Sequence, residues 1–188
     1  MVSGAGALSL EGATYELEPE MGVYVAPGER YVVENAGPEE LRVVSALAPV
    51  PEVWDEGERK RRVTVRYADQ PVLPAGKDRE FRYVIDAEAG CRSVTQFAGS
   101  IPPGRAKDHY HLYDEVVYIL EGEGILHLDG YPDTPISAGS CIHLPPPVPH
   151  CLENTGAGAL RVLGVFHPAG SPAAAYNVSP SEEEGGTQ

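Results

Sequence analysis

An internal repeat limits the architectures open to this chain. Residues 4–12 (GAGALSLEG) align with residues 122–130 (GEGILHLDG) at an offset of 118, and residues 34–49 align with residues 153–168 at an offset of 119. The second pair shares Glu-Asn-x-Gly, then Leu-Arg-Val, then a final proline. Two blocks preserved in the same order indicate that one structural unit has been duplicated, and this must be recognised before a fold is assigned.

The N-terminal copy lacks part of that unit. Residues 1–49 correspond to about residues 119–168, and Tyr31 stands where the second copy has His150. We predict a partial N-terminal sheet whose open edge needs a cover, because unpaired strand edges promote aggregation. The cover could be the linker, the C-terminal copy or a second subunit, and we expect a homodimer. Met1 could instead be an internal methionine of a longer reading frame. Alternatively, the repeated segments are ordinary strands of one extended sheet.

Composition argues against several classes of function. The formal net charge is −14, whereas a nucleic-acid-binding face needs clustered basic residues. The basic cluster at residues 59–62 is expected to be a solvated part of a linker. No apolar run approaches the roughly 20 residues of a membrane-spanning helix. Three cysteines without a Cys-x-x-Cys pair predict free thiols, and we expect a cytoplasmic protein.

Short apolar segments alternate with turn residues along the chain, which contains 21 Gly and 18 Pro. This pattern predicts an all-β fold, a small antiparallel barrel or jelly roll. Strands are predicted at residues 63–67, 81–85, 93–97 and 116–120. Ser171 and Pro172 have the pattern of a helix start.

Shifts in composition divide the chain into four parts. We predict an incomplete N-terminal half (1–49), a linker (50–79), a barrel (80–178) and a disordered acidic tail (179–188). Trp54 is expected to anchor the linker on a barrel.

Three histidines and a glutamate have a spacing that suits a metal site. His109 and His111 are two residues apart, so on a strand their side chains would share a face, with Cα atoms about 6.6 Å apart. A turn at residues 112–114 would return Glu115 beside them, and His150 follows a proline-rich run that cannot form a central strand. Three imidazoles and one carboxylate suit one divalent transition metal such as Fe, Mn, Co, Ni or Zn. An isolated His-x-His is more often a surface or core feature, but the added Glu and His favour a metal site.

These residues lie in two patterns that resemble the paired motifs of the cupin superfamily. The first is Gly104-x4-His109-x-His111-x3-Glu115-x6-Gly122, and the second is Gly139-x5-Pro145-x-Pro147-x2-His150-x3-Asn154. The first glycine stands one residue closer to the histidines than usual, and Pro147 replaces a customary glycine, but neither position is a ligand position. The resemblance implies a cupin-type jelly-roll barrel in a bicupin-like chain, with His109, His111, Glu115 and His150 holding the metal.

The resemblance implies a range of reactions, because cupins with these ligands include dioxygenases, decarboxylases and isomerases and the fold does not choose among them. We expect a metal-dependent protein acting on a small organic molecule, with dioxygenase chemistry favoured. The candidates for contacting the substrate are Gln96, Tyr113, Tyr118 and His143. The alternatives are a non-catalytic sensor or small-ligand-binding module, and a sugar isomerase or epimerase.

Overall fold

The computed structural model describes residues 2–49, 61–75 and 79–177. The expectations for Trp54 and for the tail at residues 179–188 fall outside the described residues, as does much of the predicted linker. Within the described residues the regular structure consists of strands and two short 3-10 helical turns, and neither turn is long or apolar enough to cross a membrane.

The first part of the chain supplies four strands and the described part of the linker supplies two. They are β1 (Gly6–Leu10), β2 (Ala13–Leu17), β3 (Met21–Val23), β4 (Tyr31–Asn35), β5 (Thr64–Arg66) and β6 (Leu73–Pro74), with a 3-10 turn at Tyr67–Asp69 between the last two. The strand predicted at residues 63–67 is β5, shorter by one residue at each end.

The remaining strands, together with β6, form the barrel. They are β7 (Glu80–Ile85), β8 (Thr95–Ile101), β9 (Gly104–Arg105), β10 (His109–Tyr110), β11 (Asp114–Glu121), β12 (Glu123–Leu128), β13 (Thr134–Ser137), β14 (Cys141–Leu144), β15 (His150–Asn154), β16 (Leu160–His167) and β17 (Tyr176–Asn177). The helix start predicted at Ser171 is a 3-10 turn over Pro172–Ala174, and the Ser171 hydroxyl accepts a hydrogen bond from the Ala173 N–H.

Two antiparallel sheets face each other in the barrel, as the resemblance to cupins implies. One has the order β13-β12-β15-β10-β17, with β9 also paired to β15, and the other has the order β14-β11-β16-β8-β7-β6. Strand β16 alternates buried and half-buried residues along its whole length, so that every second side chain enters the space between the sheets. The fold is therefore an all-β double-sheet jelly roll.

The interior of the barrel has two regions of different chemistry. One end is aliphatic and includes Ile119 and Leu160, both fully buried. The other end is aromatic, where Phe81, Phe97 and Phe166 pack together. The ring centroids of Phe97 and Phe166 lie 5.0 Å apart. The aromatic end adjoins the histidines.

The N-terminal part forms a separate three-stranded sheet of order β2-β1-β4. Its inner face buries Leu8, Leu10 and Leu17 with Met21, and an ion pair between Arg161 and Glu20 ties this part to the barrel. A cavity of about 660 Å³ lies between the inner face of this sheet and the outer face of the barrel.

The two copies of the repeat share a detailed loop geometry. Asn35 accepts a hydrogen bond from Gly37 N at 3.0 Å and donates to Glu39 O at 2.9 Å. Asn154 accepts from Gly156 N at 2.9 Å and donates to Gly158 O at 2.8 Å. Because both asparagines bracket the same type of loop after equivalent strands, the sequence repeat is also a structural repeat.

Candidate metal centre

Three strands and the loop after β10 bring the three predicted histidine ligands together inside the barrel, with Glu115 beside two of them. His109 lies on β10, His150 opens β15, and the two residues are directly opposed in the antiparallel ladder. The chain bends at residues 112–113, after which Glu115 enters β11 and faces inward. The predicted turn between the histidine pair and Glu115 is therefore present, and it allows the carboxylate to approach the imidazoles.

The four side chains are close together and buried. A ligand atom from each of His109, His111 and His150 lies within 4.8 Å of the others. The Glu115 Oε2 atom lies 3.4 Å from His111 Nε2 and 3.6 Å from His150 Nε2. All four residues are at most 9% exposed. The group can therefore hold an ion away from bulk solvent.

Backbone carbonyls fix the orientation of two of the imidazoles. His109 Nδ1 lies 3.0 Å from Lys107 O, and His150 Nδ1 lies 2.9 Å from Val148 O. Since a carbonyl oxygen only accepts, each Nδ1 donates its proton and each Nε2 keeps a lone pair. Such an outer hydrogen bond is the usual way in which a protein orients a metal-binding histidine.

One of two buried nitrogens without a hydrogen-bond partner supports the fit to a metal. His150 Nε2 and His111 Nδ1 have no hydrogen-bond partner within the described part of the chain. A buried polar atom without a partner costs about 1–3 kcal/mol. For His150 Nε2 an ion at the centre of the cluster would remove that cost, and three imidazoles with one carboxylate are suitable ligands for a divalent transition metal.

Burial keeps two of the histidines neutral. The pKa of His109 is lowered to about 4, chiefly by burial, although its hydrogen bond to Lys107 acts in the opposite direction. The pKa of His111 is lowered to about 3, first by burial and then by the neighbouring His109 and His150. The positive charge of Arg79 lowers both pKa values further. Neutral imidazoles are the form that binds a metal.

The metal-free protein is expected to lose stability as the pH falls below about 6.5. The unfolded chain would protonate His109 and His111 near that pH, whereas the folded chain keeps them neutral until about 4 and about 3. The unfolded state therefore binds more protons in this window, and acidification lowers the free energy of unfolding. Urea unfolding of chelator-treated protein at about pH 7 and about pH 5.5 measures the effect.

A matched pair of variants identifies the source of this pH dependence. Replacing both His109 and His111 with glutamine should remove most of it, whereas His143→Gln, at an exposed histidine on the outer face, should retain it. Equal unfolding free energies for the unmodified protein at the two pH values would contradict the assignment.

The structure separates the four residues predicted to contact the substrate. Only Tyr113 adjoins the cluster, where its ring stacks on His111 at 5.1 Å and 17°. Gln96 and Tyr118 point out of the barrel, because the inward positions of their strands are taken by neighbours such as Phe97 and Val117. His143 also points outward, is exposed, and lies 2.7 Å from Asp114. We therefore do not include these three in the site.

Two residues near the cluster were not anticipated. Arg79 immediately precedes β7, and its charge acts on His109 and His111. Phe166 is fully buried, and its ring centroid lies 5.0 Å from that of His111 and 4.7 Å from that of Tyr113. The alternating pattern of β16 marks Phe166 as inward, but only the pairing of β11 with β16 brings it beside the histidines.

Comparisons with known proteins agree with this fold. The family described as "Cupin domain" matches residues 99–166. An oxalate-binding protein of Thermotoga maritima is 36% identical over 90 residues, which cover 46% of this chain and 74% of that protein. An uncharacterized protein of Methanocaldococcus jannaschii is 35% identical over 74 residues, and the match spans 38% of this chain but only 58% of that relative.

Solved structures extend the likeness over most of the chain. A mutant of Bacillus subtilis oxalate decarboxylase superimposes with a TM-score of 0.71 at 13% identity, covering 95% of this chain and 64% of that one. The polyketide cyclase RemF from Streptomyces resistomycificus gives a TM-score of 0.53 at 25% identity, covering 66% of this chain and 88% of that one. This chain belongs to the cupin superfamily, and within its barrel it carries a histidine cluster that is able to bind a metal.

Proposed function

We propose that this protein binds one divalent transition metal through His109, His111, Glu115 and His150 and acts with it on a small organic substrate. One observation carries the proposal. Two imidazoles have their Nδ1 atoms tied to backbone carbonyls, which leaves their Nε2 lone pairs available within the buried histidine cluster, and His150 Nε2 lies 3.6 Å from Glu115 Oε2.

The four side chains leave room for chemistry. An octahedral ion held by four protein ligands keeps about two positions for other molecules, unlike a closed structural site. When bound, a metal there supplies Lewis acidity and a template for an oxygen-rich ligand. The protein contributes neutral imidazoles, one buried carboxylate and an aromatic wall that includes Phe166 and excludes water.

We propose dioxygenase-type chemistry as the reaction. The protein would be purified without oxygen and loaded with Fe, Mn, Co or Ni in turn, and oxygen uptake would be followed with catechol, thiol and diketone substrates. We expect uptake with at least one pair of metal and substrate, and none with His111→Ala. Silence across the whole panel from protein shown to contain metal would refute the dioxygenase proposal while leaving metal binding intact.

A second candidate is ligand binding without turnover. It is supported by the relative named as an oxalate-binding protein, which is 36% identical over 90 residues. Arg79 is also consistent with an anionic ligand, because its charge acts on the histidines of the site. Calorimetric titration of the metal-loaded protein with oxalate tests this candidate, with Arg79→Gln as the variant. Tight oxalate binding with neither oxygen uptake nor carbon dioxide release would favour it, and no heat of binding would exclude it for oxalate.

We also propose a cytoplasmic location, which is consistent with the three free cysteines. Expression of the protein tests this location.

We also propose that the chain divides at residues 49 and 79. Limited proteolysis tests this division, and we expect cleavage between residues 50 and 79.

We propose that the protein is a homodimer through β4. All five residues of β4 are exposed, whereas its repeat counterpart β15 is largely buried because β9 and β10 pair with it. Among the described strands, β4 has a partner only on the β1 side. Tyr31, Val32 and Val33 are 52%, 56% and 41% exposed. The edge of β4 therefore lies where the other copy carries further strands.

The sequence of β4 favours a second copy as the occupant of this edge. In an antiparallel pair with a twofold axis at Val33, Tyr31 would oppose Asn35 and Val32 would oppose Glu34, so no two acidic side chains would meet directly. Tyr31 and Val33 also line the apolar cavity beneath the N-terminal sheet. Pairing would cover this side of the cavity together with the unpaired edge.

Val33→Lys is expected to convert the dimer into a monomer, because it places two ammonium groups directly opposite each other at the centre of the strand pair. Light scattering after size-exclusion chromatography gives the mass. Val72→Lys is the control, since Val72 is 48% exposed but lies on the linker. A monomeric wild-type chain would contradict the proposal, and so would a dimer that Val33→Lys leaves unchanged.

A further inference from the structure

The segment after β16 lies against the aromatic end of the barrel. Residues 168–177, which we call the C-terminal strap, contain the second 3-10 turn and β17. Strand β17 pairs with β10, so that residue 177 is opposite His109 and residue 176 is opposite Tyr110. The strap therefore flanks a strand of the histidine cluster.

Two tyrosines attach the strap at a single residue, Ser171, but through different atoms. The Tyr113 hydroxyl donates to Ser171 O at 2.8 Å and accepts from Ser171 N at 3.1 Å. The Tyr83 hydroxyl donates to the Ser171 Oγ atom at 2.8 Å. Tyr113 is thus held by the backbone of the strap, and Tyr83 is held by its side chain.

The strap lies very close to the Tyr113 ring. A Cβ atom built on Gly170 would lie 2.3 Å from Tyr113 Cζ and 2.5 Å from Cε1. Real Cβ atoms do not approach so closely, so a glycine is required here for the two groups to pack. The Tyr113 ring also stacks on His111, with an angle of 17° between the planes.

We infer that the C-terminal strap positions His111 for metal binding, with Tyr113 as the positioning residue. The Ser171 backbone binds the Tyr113 hydroxyl both as a donor and as an acceptor, and the strap backbone packs on the Tyr113 ring. The ring in turn fixes the orientation of the His111 imidazole, on which it stacks. Phe166 packs against the rings of both His111 and Tyr113 and limits their movement. Tyr113 would then act on a metal ligand, whereas the sequence suggested that it contacts the substrate.

This inference rests on the proposed metal centre, and it makes a quantitative prediction for Tyr113→Phe. The variant keeps the stacked ring but loses both hydrogen bonds to Ser171, so the ring and His111 gain freedom. Changes to groups that orient a metal ligand typically weaken binding by about 10–100-fold. We expect the dissociation constant for Mn²⁺ to rise by about 10-fold, and the electron paramagnetic resonance spectrum of the bound Mn²⁺ to broaden.

Tyr83→Phe is the matched control. It also removes one tyrosine hydroxyl and a hydrogen bond to Ser171, but it leaves the Tyr113 contacts in place. We expect its Mn²⁺ affinity to stay near that of the wild type, although both variants lose hydrogen bonds and should unfold at lower temperatures. A purely structural strap would lower the Mn²⁺ affinity of both variants alike, or of neither.

The outcomes separate this inference from the proposed function. If the wild-type protein binds no Mn²⁺, Fe²⁺ or Co²⁺, the metal centre itself fails. If it binds metal and folded Tyr113→Phe binds Mn²⁺ as tightly as the wild type, only the role of the strap is overturned. Gly170→Ala provides a second variant, because it forces the strap away from the Tyr113 ring without altering any side chain of the cluster, and it should weaken Mn²⁺ binding in the same direction.

Discussion

His111→Ala is expected to abolish stoichiometric metal in the purified protein. His111 is buried, and its Nε2 atom lies 3.4 Å from Glu115 Oε2, closer than the 3.6 Å that separates that oxygen from His150 Nε2. Alanine removes one of three imidazoles and leaves a gap that water would enter. We expect affinity to fall by at least about 100-fold, or about 3 kcal/mol. Elemental analysis and titration with Mn²⁺ measure the change.

Two control variants accompany His111→Ala. Tyr31 stands in the N-terminal copy where His150 stands in the second, and Tyr31→Ala should leave the metal content unchanged. His143→Ala removes a histidine from the outer face of the barrel and should also have no effect on it. Full metal occupancy in His111→Ala would refute the ligand assignment, whereas loss in His143→Ala would point to a second site.

Phe166→Ala is expected to produce the largest loss of stability. Its side chain is fully buried and contacts Phe97, Tyr113 and His111. Removing a buried phenylalanine typically costs about 3–5 kcal/mol, because the cavity left behind closes only in part. The free energy of unfolding from urea titration should fall by this amount. The Mn²⁺ affinity should fall as well, because His111 loses a side chain that packs against it.

Val116→Ala is the control for this loss. Val116 lies on β11, is 38% exposed and points out of the barrel. Its truncation should change the free energy of unfolding by less than about 0.5 kcal/mol. A Phe166→Ala protein as stable as the wild type would mean that the aromatic end tolerates a cavity, which contradicts the packing described above.

The convergence of the proposed metal ligands was predictable because it depends on local geometry. The two-residue spacing of His109 and His111 and the short turn before Glu115 limit how far apart these groups can lie. His150 depends on a long-range pairing, which spacing alone does not give. Its position followed from the resemblance to paired motifs, and the structure has it directly opposite His109.

The orientation of the residues proposed to contact a substrate was harder to predict, because a strand residue changes face when the alternation shifts by one position. For Tyr118 the necessary information was present, since Glu115 and Tyr118 differ by three positions and must project from opposite faces. For Gln96 the predicted strand began at residue 93, whereas β8 begins at Thr95. The sequence of that segment does not show which of its residues face the interior of the barrel. The outward orientation of His143 follows from its pairing with Val116, which also faces outward.

The repeat predicted an incomplete N-terminal copy, but it did not predict how the structure of that copy would differ from the structure of the C-terminal copy. Residues 41–49 are equivalent to β16 in sequence, yet apart from a single bridge between Ser3 and Arg42 they form no strand in the described structure. The physical reason lies in the neighbours. Strand β16 is held between β8 and β11, and among the described residues the N-terminal copy has no counterpart of either strand.

The pairing of β17 with β10 has a consequence for the order of synthesis. Residue 177 is the backbone partner of His109, so the second edge of β10 is completed only after the ribosome has made 68 further residues. His150 likewise emerges well after His109. Contacts this distant along the chain form late in folding. A nascent chain arrested before residue 150 lacks His150, and we therefore expect it to bind no metal ion at the proposed site.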